Sequence, residues 1–264
     1  MGGIEVIDAG YAGLLARAQA VLGADPRVRS VGVGGSVGTG TADAWSDLDL
    51  DVIAHPEHHA ALLADWPSWL AEITPTAFAR TPIMPFIINT VTDTGLTLDI
   101  VVWSGEKMVF PPQTQHTAGL MSGVRYDRIE DALEYAVSEQ LRGMAGPFVS
   151  HIQRGEHIRH LTGVPHLLGL LTTVFLAETG GPPPGKHWNE SFTEEQRAAV
   201  AAIPPAGATA ESLIAFGMGC ARLLLERSRP QFERFDLPWP AELAAVAAER
   251  VRSQLGIETG DWLF

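Results

Sequence analysis

Residues 46–54, SDLDLDVIA, alternate acidic and aliphatic side chains at every second position. An extended strand has that period. It places Asp47 and Asp49, with Asp51 beyond them, on one face and turns Leu48, Leu50 and Val52 to the other. The aliphatic face must lie on a core, so the same strand carries a row of carboxylates on its opposite side. Any fold for this chain has to bury one face of that strand and find a use for the other.

The rest of the chain supplies the core. With 264 residues and 46% hydrophobic content, it has the length for one large domain or two small ones. YAGLLARAQAVLG (11–23) repeats apolar residues at helical spacing and ends at Gly23 and Pro26. VRSVGVGG (28–35) is predicted to be a strand running into glycines, and HHAALLADWPSWLAEI (58–73) a helix broken or restarted at Pro67. PFIINTVT and LTLDIVVW flank Asp93-Thr94-Gly95 as a hairpin. The order helix, strand, strand, helix, strand, strand predicts an α/β or α+β domain with a mixed sheet over residues 1–110.

From about residue 125 the strand signals stop. RIEDALEYAVSEQLRGMAG, the run 148–179, TEEQRAAVAAI, residues 208–232 and residues 240–256 all carry apolar residues at spacings of three and four. Residues 111–264 are therefore expected to form an all-α helical bundle, closing one side of a cleft. FPPQTQHTAG (110–119) is the expected connection, and GGPPPGKHWNE (180–190) a proline-rich loop within the helical part.

Charge and cysteine content limit the partners. Eighteen basic and 31 acidic residues give a net charge of −13, which argues against broad contact with nucleic-acid phosphates and favours cationic or metal-carried partners. The single cysteine, Cys220, excludes an intramolecular disulfide framework and sits in a sequence that reads as buried helix. No basic segment followed by an apolar run opens the chain, and no uninterrupted apolar stretch spans a bilayer, so the expectation is a cytoplasmic protein without membrane contact.

The glycines before the acidic strand fit neither common phosphate-binding pattern. With Gly32 and Gly34 in place, a dinucleotide fingerprint needs glycine where Val37 stands; the Gly35 to Gly40 spacing of a P-loop leads to Thr41 where lysine is required. What remains is Gly35-Ser36, a ten-residue gap, Asp47-Leu48-Asp49-Leu50, and Asp99 set among Leu98, Ile100 and Val102 on a later strand. Neighbouring carboxylates repel, and the usual resolutions are protonation of one or capture of a divalent cation. Magnesium suits such hard oxygen donors, especially when substrate phosphates complete its shell.

VGGS, SDLDL and LTLDIVV, in that order, resemble the motif of the nucleotidyltransferase superfamily that includes DNA polymerase beta, and in particular its small bacterial antibiotic nucleotidyltransferases of aminoglycoside or lincosamide type. The resemblance covers about residues 28–104, and the helical remainder resembles the variable helical domains often appended to this fold, which implies that residues 111–264 bind substrate. It implies that Gly35 and Ser36 hold a triphosphate, and that Asp47, Asp49 and Asp99 bind two magnesium ions and carry catalysis. It further implies ATP as co-substrate, AMP transfer to a hydroxyl and release of pyrophosphate. Asp99 or a helical residue such as Glu139 is the expected general base. An acidic protein suits a polycationic, aminoglycoside-like small molecule; AMP transfer to a protein side chain, and a non-catalytic nucleotide-binding regulator, are the alternatives.

Other residues carry two readings each. Asp51 shares the acidic face and would replace Asp47 if the pairing shifts by two. His55, His58 and His59 read as loop histidines rather than a zinc site, lacking cysteine or a ligand cluster. Glu139 and Arg142 stand at ion-pair spacing on a helix, and would otherwise face acceptor and phosphate. Lys186 and Asn189 lie in a loop able to close over phosphates, so Lys186 joins the nucleotide-binding candidates. Trp45 either packs or borders a pocket.

Overall fold

The structure, a computed structural model, describes residues 9–81, 84, 86–107, 128–180 and 188–260. The chain divides into two units, Met1–Pro111 and Pro112–Phe264. In the first, helix α1 (Ala9–Ala24) leads to strand β1 (Val28–Val33), a short helix α2 (Gly35–Thr39) and strand β2 (Leu48–Ala54). Helices α3 (His59–Ala64) and α4 (Trp66–Ile73) follow, then strands β3 (Thr76–Arg80), β4 (Ile87–Thr92) and β5 (Thr97–Ser104).

These strands form one sheet in the order β1-β2-β5-β4-β3; β2 and β5 run parallel and the other pairs are antiparallel. Alternation along β2 is complete, with Leu48, Leu50, Val52 and Ala54 buried and the residues between them half-buried. Leu98, Ile100 and Val102 of β5 and Ile88 of β4 join them in one core. Tyr11, Leu14, Ala18 and Leu22 recur at helical spacing on α1 and cover that face beside Leu62 of α3 and Trp69, Leu70 and Ile73 of α4. At roughly 1.5–3 kcal/mol for each fully buried large aliphatic side chain, this face is what secures the sheet. Arg27 fastens the corner, pairing with Asp25 at 2.6 Å and Asp65 at 2.9 Å.

Two local features depart from the sequence expectations. Strand β3 was absent from them: TAFAR lies at the sheet edge with every residue half-buried, and so has no alternation to reveal it. Helix α2 is a single turn built from GSVGT, which carries no amphipathic pattern. Pro67 lies in the first turn of the new helix α4, the restart that the sequence offered.

Among the described residues the second unit contains helices and no strands. Helix α5 (Ile129–Ala145) packs against α8 (Val164–Thr179) and α12 (Ala241–Leu255), and α11 (Ala210–Arg234) packs on α5 and α8. The segment 148–179, expected as one helical run, is divided into α6 (Pro147–Gln153), α7 (His157–Thr162) and α8, with breaks at Gly155 and Gly163. Gly155 adopts φ of +66°, which ends the first piece. Short helices α9 (Trp188–Ser191) and α10 (Glu194–Ala201) precede α11, the latter held by a Thr193–Gln196 capping box. His157–Thr179 is long and apolar enough by length and composition to cross a membrane. Its Leu170, Leu171, Val174 and Phe175 are buried within the bundle. The expected connection 110–119 and Lys186 lie outside the described residues, and nothing of the Asn189 side chain is described.

Candidate active site

The acidic face of the sheet is organised by register. Asp49 on β2 stands directly opposite Asp99 on β5, Asp99 opposite Asn89 on β4, and Asn89 opposite Arg80 on β3. Successive same-face residues across a sheet lie about 4.8 Å apart, so the four form a row. Within it Asn89 Nδ2 donates to Asp99 Oδ1 at 2.8 Å. Asp47 immediately precedes β2, delivered by a tight turn in which Asp43 accepts from Trp45 N and Ser46 Oγ, both at 3.0 Å. Trp45 is half-buried in that turn.

Glycine is what lets the β1–α2 turn close on this row. Gly34 N donates to the Asp49 carbonyl at 2.9 Å. Gly35 has φ of +52°, and a Cβ on it would fall 1.7 Å from Asp49 Oδ2. No other residue fits there without displacing the carboxylate. Ser36 follows in the first turn of α2.

The crowding has an electrostatic signature. Burial, followed by repulsion from Asp47, Asp99 and Asp51, pushes the Asp49 carboxyl up to about 7, and Lys107 offsets part of it. Oxygen-only donors on adjacent strands fit a hard divalent cation by their chemistry. As placed, no group of three His, Cys, Asp or Glu side chains among the described residues is disposed to hold a metal ion. An ion at this row therefore needs oxygens from outside the protein, which is how magnesium is commonly bound through one or two carboxylates and substrate phosphates.

Asp51 is differently engaged. Its Oδ1 accepts from Trp103 Nε1 at 2.7 Å and its Oδ2 from Lys107 Nζ at 2.5 Å. Both oxygens have protein donors, which favours the Asp47/Asp49 pairing over the shifted one. Trp103, Lys107, Asn89 and Arg80 were not anticipated from sequence. Asn89 and Arg80 sit on strands whose register only the folded sheet defines, and Lys107 reaches Asp51 because β5 lies beside β2.

The remaining candidates make these contacts. Arg142 pairs with Glu139 at 2.6 Å on α5, and His166 Nε2 lies 3.9 Å from the same carboxylate. His59 opens α3 rather than lying in a loop, its Nε2 3.0 Å from the Val102 carbonyl, while His55 and His58 meet edge to face. Burial pushes the Cys220 thiol up to about 12, which makes it a poor nucleophile.

No family model and no curated protein matches this chain. Among solved structures it is similar to an aminoglycoside 6-adenyltransferase from Bacillus subtilis, with 12% identity over 90% of this chain and 95% of that one. The TM-score is 0.33, a likeness too loose to carry any functional assignment.

Proposed function

We propose that this chain is a magnesium-dependent nucleotidyltransferase that moves AMP from ATP to a hydroxyl of a small, polycationic, aminoglycoside-like acceptor. The observation that carries the reading is the level placement of Asp49 and Asp99 on adjacent parallel strands, with the Gly34–Gly35 turn packed onto Asp49. Asp47, Asp49 and Asp99 would hold two magnesium ions together with phosphate oxygens of the nucleotide, and the ions would supply charge stabilisation at those phosphates. Gly35 and Ser36 receive the triphosphate through backbone N–H groups and the serine hydroxyl.

Asp99 takes the proton of the acceptor hydroxyl as its oxygen attacks the α-phosphorus. The new oxygen–phosphorus bond forms as the bond to pyrophosphate breaks, and pyrophosphate leaves with its electron pair. Asn89 Nδ2 donates to one oxygen of Asp99 and so orients that carboxylate. The net charge of −13 favours a cationic acceptor at the encounter stage.

The test is incubation of the protein with each nucleoside triphosphate, magnesium and a panel of hydroxyl-bearing antibiotics, read by mass spectrometry. The expected product is an acceptor heavier by one nucleotidyl group, with pyrophosphate released. Asp49→Asn should lower turnover on the order of a thousandfold if the metals contribute several kcal/mol to the transition state. Asp51→Asn should spare kcat. Near-normal turnover by Asp49→Asn would overturn the catalytic assignment. Transfer of AMP to protein side chains alone would replace the acceptor, and triphosphate binding without turnover would favour a regulator.

A further inference from the structure

The glycine turn lacks the lysine that a P-loop places on its phosphates, because Thr41 stands at that position. The fold brings an ammonium to the same turn from elsewhere. Lys107, three residues beyond β5, returns over the acidic face to set Nζ 2.5 Å from Asp51 Oδ2. That oxygen in turn lies against the turn itself, since a Cβ on Gly34 would stand 2.9 Å from it. Gly34, Asp51 and Lys107 are thus contiguous, and Gly35 and Asp49 adjoin them.

Resting on the nucleotidyl-transfer reading above, we propose that Lys107 is the cation that grips the triphosphate, parked on Asp51 until a nucleotide arrives. Three observations separate this from an ordinary surface pair. Asp51 is held independently of the lysine by Trp103 Nε1 at 2.7 Å, so Lys107 is not required to orient it. The Asp51 side chain is only 14% exposed, whereas that of Lys107 is 52% exposed, so the carboxylate is seated in the fold and the lysine reaches it from the solvent side. The acidic row beside them also explains the parked position, for an ammonium near Asp49 offsets the mutual repulsion of the carboxylates.

Nucleotide binding changes the balance. Magnesium held at the row would neutralise it and remove its hold on the ammonium, while the phosphates delivered to the glycine turn would attract it. The lysine then leaves Asp51 for phosphate oxygens one contact away. A lysine acts here as a point charge with three donors and needs no fixed fork geometry.

The experiment is calorimetric titration of wild-type protein, K107Q and K107R with magnesium and α,β-methylene ATP, which is not cleaved at the reacting bond, and in parallel with AMP, which lacks the outer phosphates. Thermal melts first establish that each variant is folded. K107Q should bind the triphosphate analogue about tenfold more weakly with AMP affinity unchanged, and K107R should retain most of the wild-type affinity. Equal affinity of K107Q and wild type for the analogue, or equal weakening toward AMP, would overturn the assignment of Lys107 and leave the nucleotidyl-transfer reading standing. Wild-type protein that binds no triphosphate would overturn the nucleotidyl-transfer reading, and the role of Lys107 with it. Should K107Q not fold, K107M carries the same comparison.

Discussion

Asp49 should destabilise the protein that contains it. Its carboxyl is shifted from 3.8 to about 7, first by burial and then by Asp47, Asp99 and Asp51. A folded-state pKa above the unfolded one means that the folded state binds the extra proton. Stability therefore falls as pH rises from about 4 to 7 and stays low above that window. At ~1.4 kcal/mol per unit, the full shift corresponds to about 4 kcal/mol. Asp49→Asn keeps the shape and removes the charge. In EDTA at pH 8 the variant should be more stable than wild type by about 2–4 kcal/mol, the lower figure allowing for the new amide's own burial. At pH 4 the two should converge. Urea unfolding followed by tryptophan fluorescence, run at several pH values, gives the difference directly, and contributions from other groups cancel in it. Added magnesium with a nucleotide should raise the stability of wild type and leave the variant nearly unmoved. If Asp49→Asn is no more stable than wild type at pH 8 in EDTA, the repulsive row is not as described.

Other perturbations test other parts. Gly35→Ala should cost at least about 1–2 kcal/mol from its left-handed backbone alone; the clash with Asp49 adds to this, so the loss in urea unfolding should shrink in an Asp49→Ala background. Cys220 should resist a thiol reagent in the native protein and react only on unfolding, since its thiol is buried and pushed up to about 12; rapid native labelling would contradict this. Burial, aided by Arg159 and His160, lowers His151 to about 4. That depressed value contributes stability above pH 6.5 that is lost as pH falls toward 4; a His151→Gln variant should flatten that acid limb of the unfolding profile.

The central strands were legible because both are half-buried and advertise it. Leu48, Leu50 and Val52 alternate with acids, and Leu98, Ile100 and Val102 bracket Asp99, so face and element follow from local pattern. Edge strand β3 was not legible, because each of its residues is half-buried and no period exists to detect. The breaks at Gly155 and Gly163 were hidden for the opposite reason, since apolar spacing of three and four continues through them. For the site, the glycine turn and three aspartates were visible as residue types at fixed spacing. The engagement of Asp51 by Trp103 and Lys107 was not, because it depends on β5 inserting beside β2, a pairing no local window encodes.

That insertion also orders events during synthesis. β1 with β2, and β3 with β4, each form an antiparallel pair from chain already made, whereas β5 lies between β2 and β4 and leaves the ribosome after all four. Until it arrives, the nascent domain is two separate ribbons, and the inner edges of β2 and β4 have no partner. Those edges are the surfaces on which a stalled or truncated chain would meet another copy of itself. The arrival of one strand closes both inner edges at once, and in the same step sets Asp99 opposite Asp49, so the sheet covers those edges and acquires its electrostatic burden together.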